Sequence, residues 1–419
     1  MDTKKLCKLI EERREELFDM LISLININSE NLPDTGNEKE CAEYIHNLCL
    51  EMGLSSDIYS PLSLDGFEKH PDYFHGKDLG NRYNVVAKYF GEEDNDELML
   101  MSHIDTVRAG DMKNWETNPF EGVIRDGKII GRGACDDKYA LAATLFILKL
   151  LQENRFTPKR NLLFAAYCDE EYGGSHGAMA AVMKYPCPKI VSMDGRENQL
   201  WHCGSGGGEM KYIFRTKEAV DSAKKVYEAI PTVIEIIEKF ADARRKELSE
   251  NRFYTGTIIP QTALRYMGIR AGYDGSDLGT GEVFFVFYTD KTRDEIYAEL
   301  AELETELAAR LEPLGIIGEG FKPQTRFFHY VFCEPTSPDI ELMLEASREA
   351  TGREPIVCGA CLSDMSVISK YGSSNAFAFG AGRDFSKPGG AHQPNEYIEC
   401  DKLVDYTKTI ATYILKVLG

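Results

Sequence analysis

The chain has 419 residues, which exceeds the roughly 250–300 residues at which one hydrophobic core stops growing, so we expect two domains. Its 68 acidic and 48 basic residues give a formal net charge of −20, which argues against nucleic acid and anionic membranes as partners. The sequence contains no run of about eighteen apolar residues, which excludes a membrane span, and its eleven cysteines lie mostly in apolar or helical runs, so a cytoplasmic protein with reduced thiols is expected.

The first half of the chain predicts helices that alternate with strands. An amphipathic helix at the N-terminus and a second helix at about 37–52 come first. Apolar runs then predict four strands and one intervening helix, namely strands Asn84–Phe90, Glu97–His103, Asn161–Cys168 and Lys189–Met193, and helix Lys138–Gln152. This alternation indicates βαβ units, so the predicted fold class is α/β with a doubly wound, mainly parallel sheet.

Residues 206–329 lack this alternation of strands and helices, and they predict a smaller, inserted α+β domain. Charged helical segments at 217–250 and 292–310 flank the run Val283–Tyr288, whose apolar residues alternate. Pro231 is expected to split or kink the first of these helices, because proline lacks the amide hydrogen that a helix interior uses.

The α/β pattern returns in the last ninety residues of the sequence. It comprises a helix, an apolar strand-like segment and a final helix, namely Pro338–Thr351, Ala376–Phe379 and a helix that starts at Asp401. Residues 1–205 and 330–419 are therefore predicted to form one catalytic domain. At its junction with the insert, Gly204–Gly208 lacks the Lys-Ser/Thr of a nucleotide-binding loop, so we interpret it as a hinge or a tight strand entry.

Acidic and histidine residues follow several of the predicted strands. They are His103 and Asp105, Asp136 and Asp137, Asp169, Glu170 and Glu171, Asp194, and His392. Open α/β sheets present ligand-binding residues at such strand ends. Taken singly, each group has an ordinary structural explanation, such as a surface polar pair or a helix N-cap. Together, carboxylate and imidazole groups without cysteine indicate a site for two divalent ions, with zinc as the default and cobalt or manganese as alternatives.

The spacing within two of these groups indicates separate roles for neighbouring residues. His103 and Asp105 lie two apart on a strand and point to the same face, so the carboxylate can fix the imidazole tautomer. In the Glu170–Glu171 pair, only one side chain readily reaches a given ion. The other is then free to act as a general base.

Five segments in this order resemble the dinuclear zinc amidohydrolases, a family that includes acetylornithine deacetylase, succinyl-diaminopimelate desuccinylase, carboxypeptidase G and aminoacylase. The segments are SHIDT, GRGACDDK, DEEYGG, SMDG and AHQPNEYI, and the similarity covers nearly the whole chain. The resemblance implies one metal bound by His103, Asp136 and Asp194 and a second bound by Asp136, Glu171 and His392. It further implies that Glu170 is the general base, that Asp105 orients His103, and that the Asp136–Asp137 peptide is cis.

The same resemblance implies that residues 206–329 form a lid that also makes a homodimer contact. Two departures from the family pattern stand out: Tyr139 replaces the usual Gly after the motif lysine, and the lid has no match for the Gly-x-x-His-Ser segment. Candidate substrate contacts are a Ser-Asp pair in a Gly-rich loop and three arginines that could anchor a carboxylate, namely Ser363, Asp364, Arg265, Arg270 and Arg383.

The sequence therefore predicts a metal-dependent hydrolase that cleaves the amide bond of a small N-acyl amino acid, using a metal-bridging hydroxide and the Glu170 base. A dipeptidase or carboxypeptidase of the same family is the alternative enzyme. A non-catalytic relative that binds metal or a short peptide is the alternative outside catalysis.

Overall fold

The structure, a computed structural model, describes residues 1–32, 35–254, 259–273, 278–359 and 361–419. Its internal contacts divide the chain into two compact units. The first unit comprises Met1–Cys203, Phe332–Ala360 and Val367–Gly419, and the second comprises Gly204–Val331 and Cys361–Ser366. No pattern in the sequence predicts that residues 361–366 belong with the second unit. The expected role of residues 206–329 as a lid stays a prediction.

The N-terminal part of the first unit alternates helices and strands as predicted. In chain order the elements are α1 (Thr3–Glu12), α2 (Arg14–Ile25), α3 (Lys39–Glu51), β1 (Ser55–Tyr59), β2 (Asn84–Tyr89), β3 (Glu93–His103), β4 (Val123–Arg125), β5 (Lys128–Ile130), α4 (Lys138–Glu153), β6 (Arg160–Tyr167), α5 (His176–Lys184), β7 (Lys189–Ser192) and β8 (Gln199–Gly204). The four strands predicted from apolar runs correspond to β2, β3, β6 and β7.

Helix α4 is the central helix of the first core, and its sequence explains why. Nearly all of its residues are buried, in keeping with an apolar run that has no polar face. Its first residue, Lys138, is also buried, and its Nζ donates to Leu24 O at 2.9 Å and to Ile27 O at 2.7 Å. These carbonyls lie at the C-terminal end of α2, where they have no partner within the helix. The lysine therefore joins the two helices.

The second unit is built on a four-stranded antiparallel sheet. Its elements are β9 (Gly206–Thr216), α6 (Ser222–Glu250), β10 (Leu264–Tyr273), β11 (Gly279–Thr289), α7 (Arg293–Leu311) and β12 (Ile316–Pro323), and the strand order is β10-β11-β9-β12. Helix α6 continues through Pro231, so the expected split is wrong. The helix buries Val226, Val233 and Ile237 in the core of this unit. This apolar burial on both sides of the proline offsets its local cost.

The C-terminal part of the chain completes the first unit, apart from Val331 and Cys361–Ser366, which belong to the second unit. Its elements are β13 (Val331–Phe332), α8 (Pro338–Thr351), β14 (Ile356–Gly359), α9 (Met365–Val367), β15 (Phe377–Gly380), β16 (Tyr397–Glu399) and α10 (Cys400–Leu418). Helix α8 begins with the N-cap Ser337 followed by proline, and it ends at Gly352, whose φ of 72° favours glycine. Among the described residues, no helix is long and apolar enough to cross a membrane.

The central sheet has nine strands in the order β1-β2-β6-β3-β7-β15-β8-β13, with β14 beside β8. Strands β6, β3, β7 and β15 are parallel to one another, and β14 is parallel to β8. The antiparallel pairs are β1 with β2, β2 with β6 and β8 with β15. A separate three-stranded sheet has the order β16-β5-β4. The predicted α/β fold with a mainly parallel central sheet is confirmed, and it aligns the carboxyl ends of β3, β6 and β7 along one edge.

Candidate metal centre

Three predicted ligands meet at this edge of the sheet. His103 ends β3, Glu171 follows β6, and Asp136 precedes α4. One ligand atom from each of these residues lies within 4.8 Å of the others, which is the spacing of groups that hold a metal ion. The peptide bond between Asp136 and Asp137 is cis, as the resemblance implied.

Asp136 lies between two imidazole rings. Its Oδ1 is 3.0 Å from His103 Nε2, and its Oδ2 is 3.3 Å from His392 Nε2. His392 Nε2 is also 3.1 Å from Glu171 Oε2. The two carboxylate oxygens of Asp136 thus face two different histidines, which is the arrangement required of a bridging ligand.

Two further residues of the predicted site, Glu170 and Asp194, act on this cluster through their charge. Burial is the main cause of the raised pKa of Asp137, and the charge of Asp194 adds to it. Burial lowers the pKa of His103, but Asp136 outweighs burial and the charge of Glu170 adds to the rise. The assignment of Glu170 as general base and of Asp194 as metal ligand stays a prediction.

The cluster carries an excess of negative charge. Burial raises the pKa of Asp136, but its hydrogen bonds to His103 and His392 outweigh burial and hold that pKa well below its usual range. The charge of Glu171 raises the pKa of His392 to about 12. Burial lowers the pKa of His103, yet the bond to Asp136 and nearby carboxylates raise it well above its usual value. A set of groups that stabilises positive charge so strongly fits divalent cations.

Asp105 holds the ligands in a way that the sequence only partly predicted. We expected its carboxylate to orient His103, but the ring Nδ1 donates to the main-chain oxygen of Asp105 at 2.9 Å, and the carboxylate Oδ1 is 3.7 Å away. The carboxylate instead accepts from Glu170 N at 3.1 Å and from Glu171 N at 2.9 Å. Asp105 therefore positions His103 through its backbone and the Glu170–Glu171 turn through its side chain.

The first carboxylate of the acidic triplet, that of Asp169, is paired with basic side chains of the protein. It is fully buried, with Lys77 Nζ in contact with Oδ1, Arg82 NH1 at 3.0 Å from Oδ1, and His176 Nδ1 at 2.6 Å from Oδ2. Burial raises the pKa of Asp169, but these neighbours outweigh it and hold the pKa below its usual range. This carboxylate is a support for the metal-binding turn and is not one of its ligands.

The same buried network reaches the backbone of Glu171. Asn31 Nδ2 donates to Glu171 O at 2.8 Å and Lys77 Nζ donates to it at 3.3 Å, and Asn31 also donates to Asp105 at 2.7 Å. Asn31, Lys77, Arg82 and His176 were all missed by the sequence reasoning. They lie on separate loops or at a helix start, outside any motif, so only the charge of Asp169 hinted that buried cations must exist.

The five candidate substrate contacts fall in two different units. Ser363, Asp364, Arg265 and Arg270 belong to the second unit, and Arg383 belongs to the first. Arg383 has partners within the first unit, since its Nε donates to Pro388 O in the same loop at 3.1 Å and its NH1 donates to Glu399 Oε1, at the end of β16, at 3.4 Å. As substrate contacts, all five residues stay predictions.

A mainly parallel α/β sheet with an imidazole and carboxylate cluster at its carboxyl edge fits the class of metal-dependent hydrolases. Residues 99–416 match the model of peptidase family M20/M25/M40, and the chain belongs to that family. The predicted family is thereby confirmed.

Two curated relatives and one solved structure indicate the range of this similarity. An uncharacterised metallohydrolase of Methanocaldococcus jannaschii is 38% identical, and the alignment covers 93% of this chain and 96% of that protein. N-formyl-4-amino-5-aminomethyl-2-methylpyrimidine deformylase of Bacillus subtilis is 24% identical, with coverage of 97% and 96%. The structure of a dipeptidase from Saccharomyces cerevisiae superposes with a TM-score of 0.72 at 14% identity, covering 98% of each chain. The structural likeness supports the fold alone.

Proposed function

We propose that the protein is a dinuclear metal-dependent amidohydrolase that removes a small acyl group from an N-acyl amino acid. The observation that carries this proposal is Asp136, whose two oxygens face His103 and His392. Zinc is the proposed ion, with cobalt or manganese as alternatives, because the ligands are imidazoles and carboxylates.

The proposed ligand sets share Asp136. His103 and Asp194 would complete one set, and Glu171 and His392 would complete the other. When bound, the ions would polarise the substrate carbonyl and make water more acidic near neutral pH.

Glu170 is the proposed proton carrier. Its backbone is held by Asp105 next to the Glu171 ligand, so its carboxylate stays beside the cluster without being needed as a ligand. It would take a proton from the attacking water and return it to the nitrogen of the leaving amine. Because one carboxylate performs both transfers, its loss should abolish turnover while metal binding persists.

The substrate class rests on the relatives. The deformylase of Bacillus subtilis is named for removal of a formyl group from nitrogen, which is the smallest case of deacylation. The yeast enzyme is named a dipeptidase, which keeps cleavage of a short peptide as the second candidate. In both cases the bond broken is an amide with a small acyl side, which agrees with the predicted reaction.

We further propose that the second unit is a lid and that it forms a homodimer contact. Support comes from β10, an edge strand of the four-stranded sheet that exposes apolar side chains. Met267 is 61% exposed and Ile269 is 48% exposed. Sedimentation of the wild type and of Ile269→Lys tests the proposal. A dimer that dissociates in the variant supports it, and a monomeric wild type refutes it.

The eleven free thiols support a cytoplasmic location.

The function is tested with a panel of N-formyl, N-acetyl and N-succinyl amino acids alongside dipeptides, offered to zinc-, cobalt- and manganese-loaded protein. Glu170→Gln is the diagnostic variant and Glu51→Gln, at an exposed position, is the matched control. We expect turnover of one acyl class, at least about 100-fold slower in Glu170→Gln at unchanged metal content and unaffected in the control. Turnover of dipeptides alone would select the second candidate. No turnover by protein that has bound two ions would favour a non-catalytic binding protein.

A further inference from the structure

Tyr139 is the second residue of α4, and its side chain is completely buried. We propose that the Tyr139 hydroxyl positions Asp194 and thereby sets the affinity for the ion that Asp194 and His103 share. Tyr139 is a positioning residue in this proposal, which rests on the proposed role of Asp194 as a metal ligand.

The Tyr139 hydroxyl lies between the carbonyl oxygens of the two residues next to Asp194 in the sequence. It is 3.1 Å from Met193 O and 3.1 Å from Gly195 O. The hydroxyl has one proton, which the two carbonyl oxygens share. The Met193 carbonyl belongs to the peptide that leads into Asp194, and the Gly195 carbonyl belongs to the peptide one residue beyond it, so the phenol holds the backbone on both sides of Asp194. The backbone held in this way limits where the Asp194 carboxylate can reach.

The same hydroxyl reaches the segment that leads to His392. It accepts a hydrogen bond from Ala381 N at 3.0 Å, just after β15. The two segments are also in direct contact here, since Gly382 N donates to Gly195 O at 3.0 Å and a Cβ on Gly195 would lie 2.8 Å from Gly380 N. Tyr139 therefore joins the Asp194 turn to the chain segment that carries the exposed ligand of the other ion.

The surrounding contacts allow the fold to survive without the hydroxyl. Gly195 O keeps its bond from Gly382 N, and Met193 O keeps a weaker contact with the Tyr406 hydroxyl at 3.4 Å. The aromatic rings of Tyr139 and Tyr406 pack edge to face at 5.1 Å, an interaction that phenylalanine preserves. Loss of the hydroxyl should therefore leave the turn in place but less fixed. Groups that orient metal ligands typically contribute 10–100-fold to metal affinity, and we expect about 10-fold here.

The test is a cobalt titration of metal-free, full-length protein, followed by visible absorption and by competition with a chelator. The variants are Tyr139→Phe, Asp194→Asn and Tyr413→Phe. Tyr413 is the matched control because it is also a fully buried tyrosine, and its hydroxyl has no hydrogen-bond partner among the residues that the structure describes. We expect Tyr139→Phe to weaken one of two cobalt affinities about 10-fold, Asp194→Asn to weaken the same ion further, and Tyr413→Phe to match the wild type.

Two outcomes would overturn the proposal while leaving the dinuclear site intact. In the first, the wild type binds two ions and Tyr139→Phe binds both with unchanged affinity. In the second, Tyr139→Phe loses the same affinity for both ions, which would indicate a general loosening of the fold. A wild type that binds fewer than two ions would refute the proposed function together with this inference. If Tyr139→Phe is not recovered folded, Tyr406→Phe decides the question. Because its hydroxyl reaches the same Met193 carbonyl from farther away, it should weaken the same ion by a smaller factor, and an unchanged affinity overturns the proposal.

Discussion

The buried pair of Asp169 and Lys77 gives a prediction about stability that is independent of catalysis. Asp169→Asn removes a fully buried negative charge and leaves Lys77, whose side chain is 3% exposed, without its carboxylate. Arg82 is affected less, because it keeps Glu38 Oε1 at 2.7 Å. Breaking a buried ion pair by removing one partner costs about 3–5 kcal/mol, and with Arg82 still paired we expect the lower end, about 3 kcal/mol of unfolding free energy.

The assay is urea unfolding of metal-free protein, followed by tryptophan fluorescence. Both tryptophans of the chain, Trp115 and Trp201, are buried in the first unit, so the signal reports the unit that contains Asp169. The matched control is Asp57→Asn, which breaks a pair with Lys184 at 2.7 Å whose side chains are 43% and 34% exposed. Exposed pairs contribute about 0–1 kcal/mol, so this control should change little.

The pH dependence gives a second check on the same variant. The folded state holds the pKa of Asp169 below its usual value of 3.8, so the stabilisation is fully present above that value and is lost as pH falls through the folded pKa. The difference between wild type and Asp169→Asn should be constant between about pH 5 and 8 and narrow below about pH 4. Equal unfolding free energies for Asp169→Asn and Asp57→Asn at neutral pH would refute the reasoning.

Three further predictions concern metal and thiols. Asp136→Asn should abolish binding of both ions in zinc calorimetry, because its two oxygens face both histidines; one retained ion would contradict a bridging role. His392→Ala should lose only one ion, since His392 contacts Glu171 and Asp136 with a side chain that is 48% exposed, and loss of both would contradict separate ligand sets. Burial raises the pKa of Cys49 to about 12 and that of Cys41 to about 11, so neither thiol should react with a maleimide in folded protein at pH 8. The stability that these neutral thiols contribute is present below the unfolded pKa of 9.0 and should fall as pH rises towards 12, which urea unfolding at a series of pH values would measure.

The clustering of three candidate ligands could be predicted because their signals are local. His103 is the last residue of β3, Asp136 lies shortly before α4 and Glu171 lies shortly after β6, and a parallel sheet brings such positions to one edge. The supporting residues Lys77 and Arg82 carry no such signal. A lysine or arginine in a loop is nearly always solvated. Lys77 and Arg82 differ only because the fold brings them into contact with the buried Asp169.

The same distinction applies to the fold. Apolar runs predicted β2, β3, β6 and β7, which are buried on both faces, but the short strands β4, β5 and β16 have no pattern long enough to recognise. The strand entry considered at Gly204–Gly208 is realised at the start of β9. There Gly207 has a φ of 129°, and a Cβ would lie 2.0 Å from Phe287 O. Glycine is thus required at this position by close approach of the neighbouring strand.

The position of β15 in the sheet has a consequence for how the chain is made. This strand comes from residues 377–380 yet lies between β7 and β8, which are nearly two hundred residues earlier in the sequence. On the ribosome, a nascent chain that has not reached residue 377 has β7 and β8 with unpaired edges facing each other, and unpaired edges are sites of aggregation. We therefore expect truncations between β8 and β15 to yield insoluble protein and not a smaller folded unit, because β7 and β8 depend on a strand that is synthesised much later.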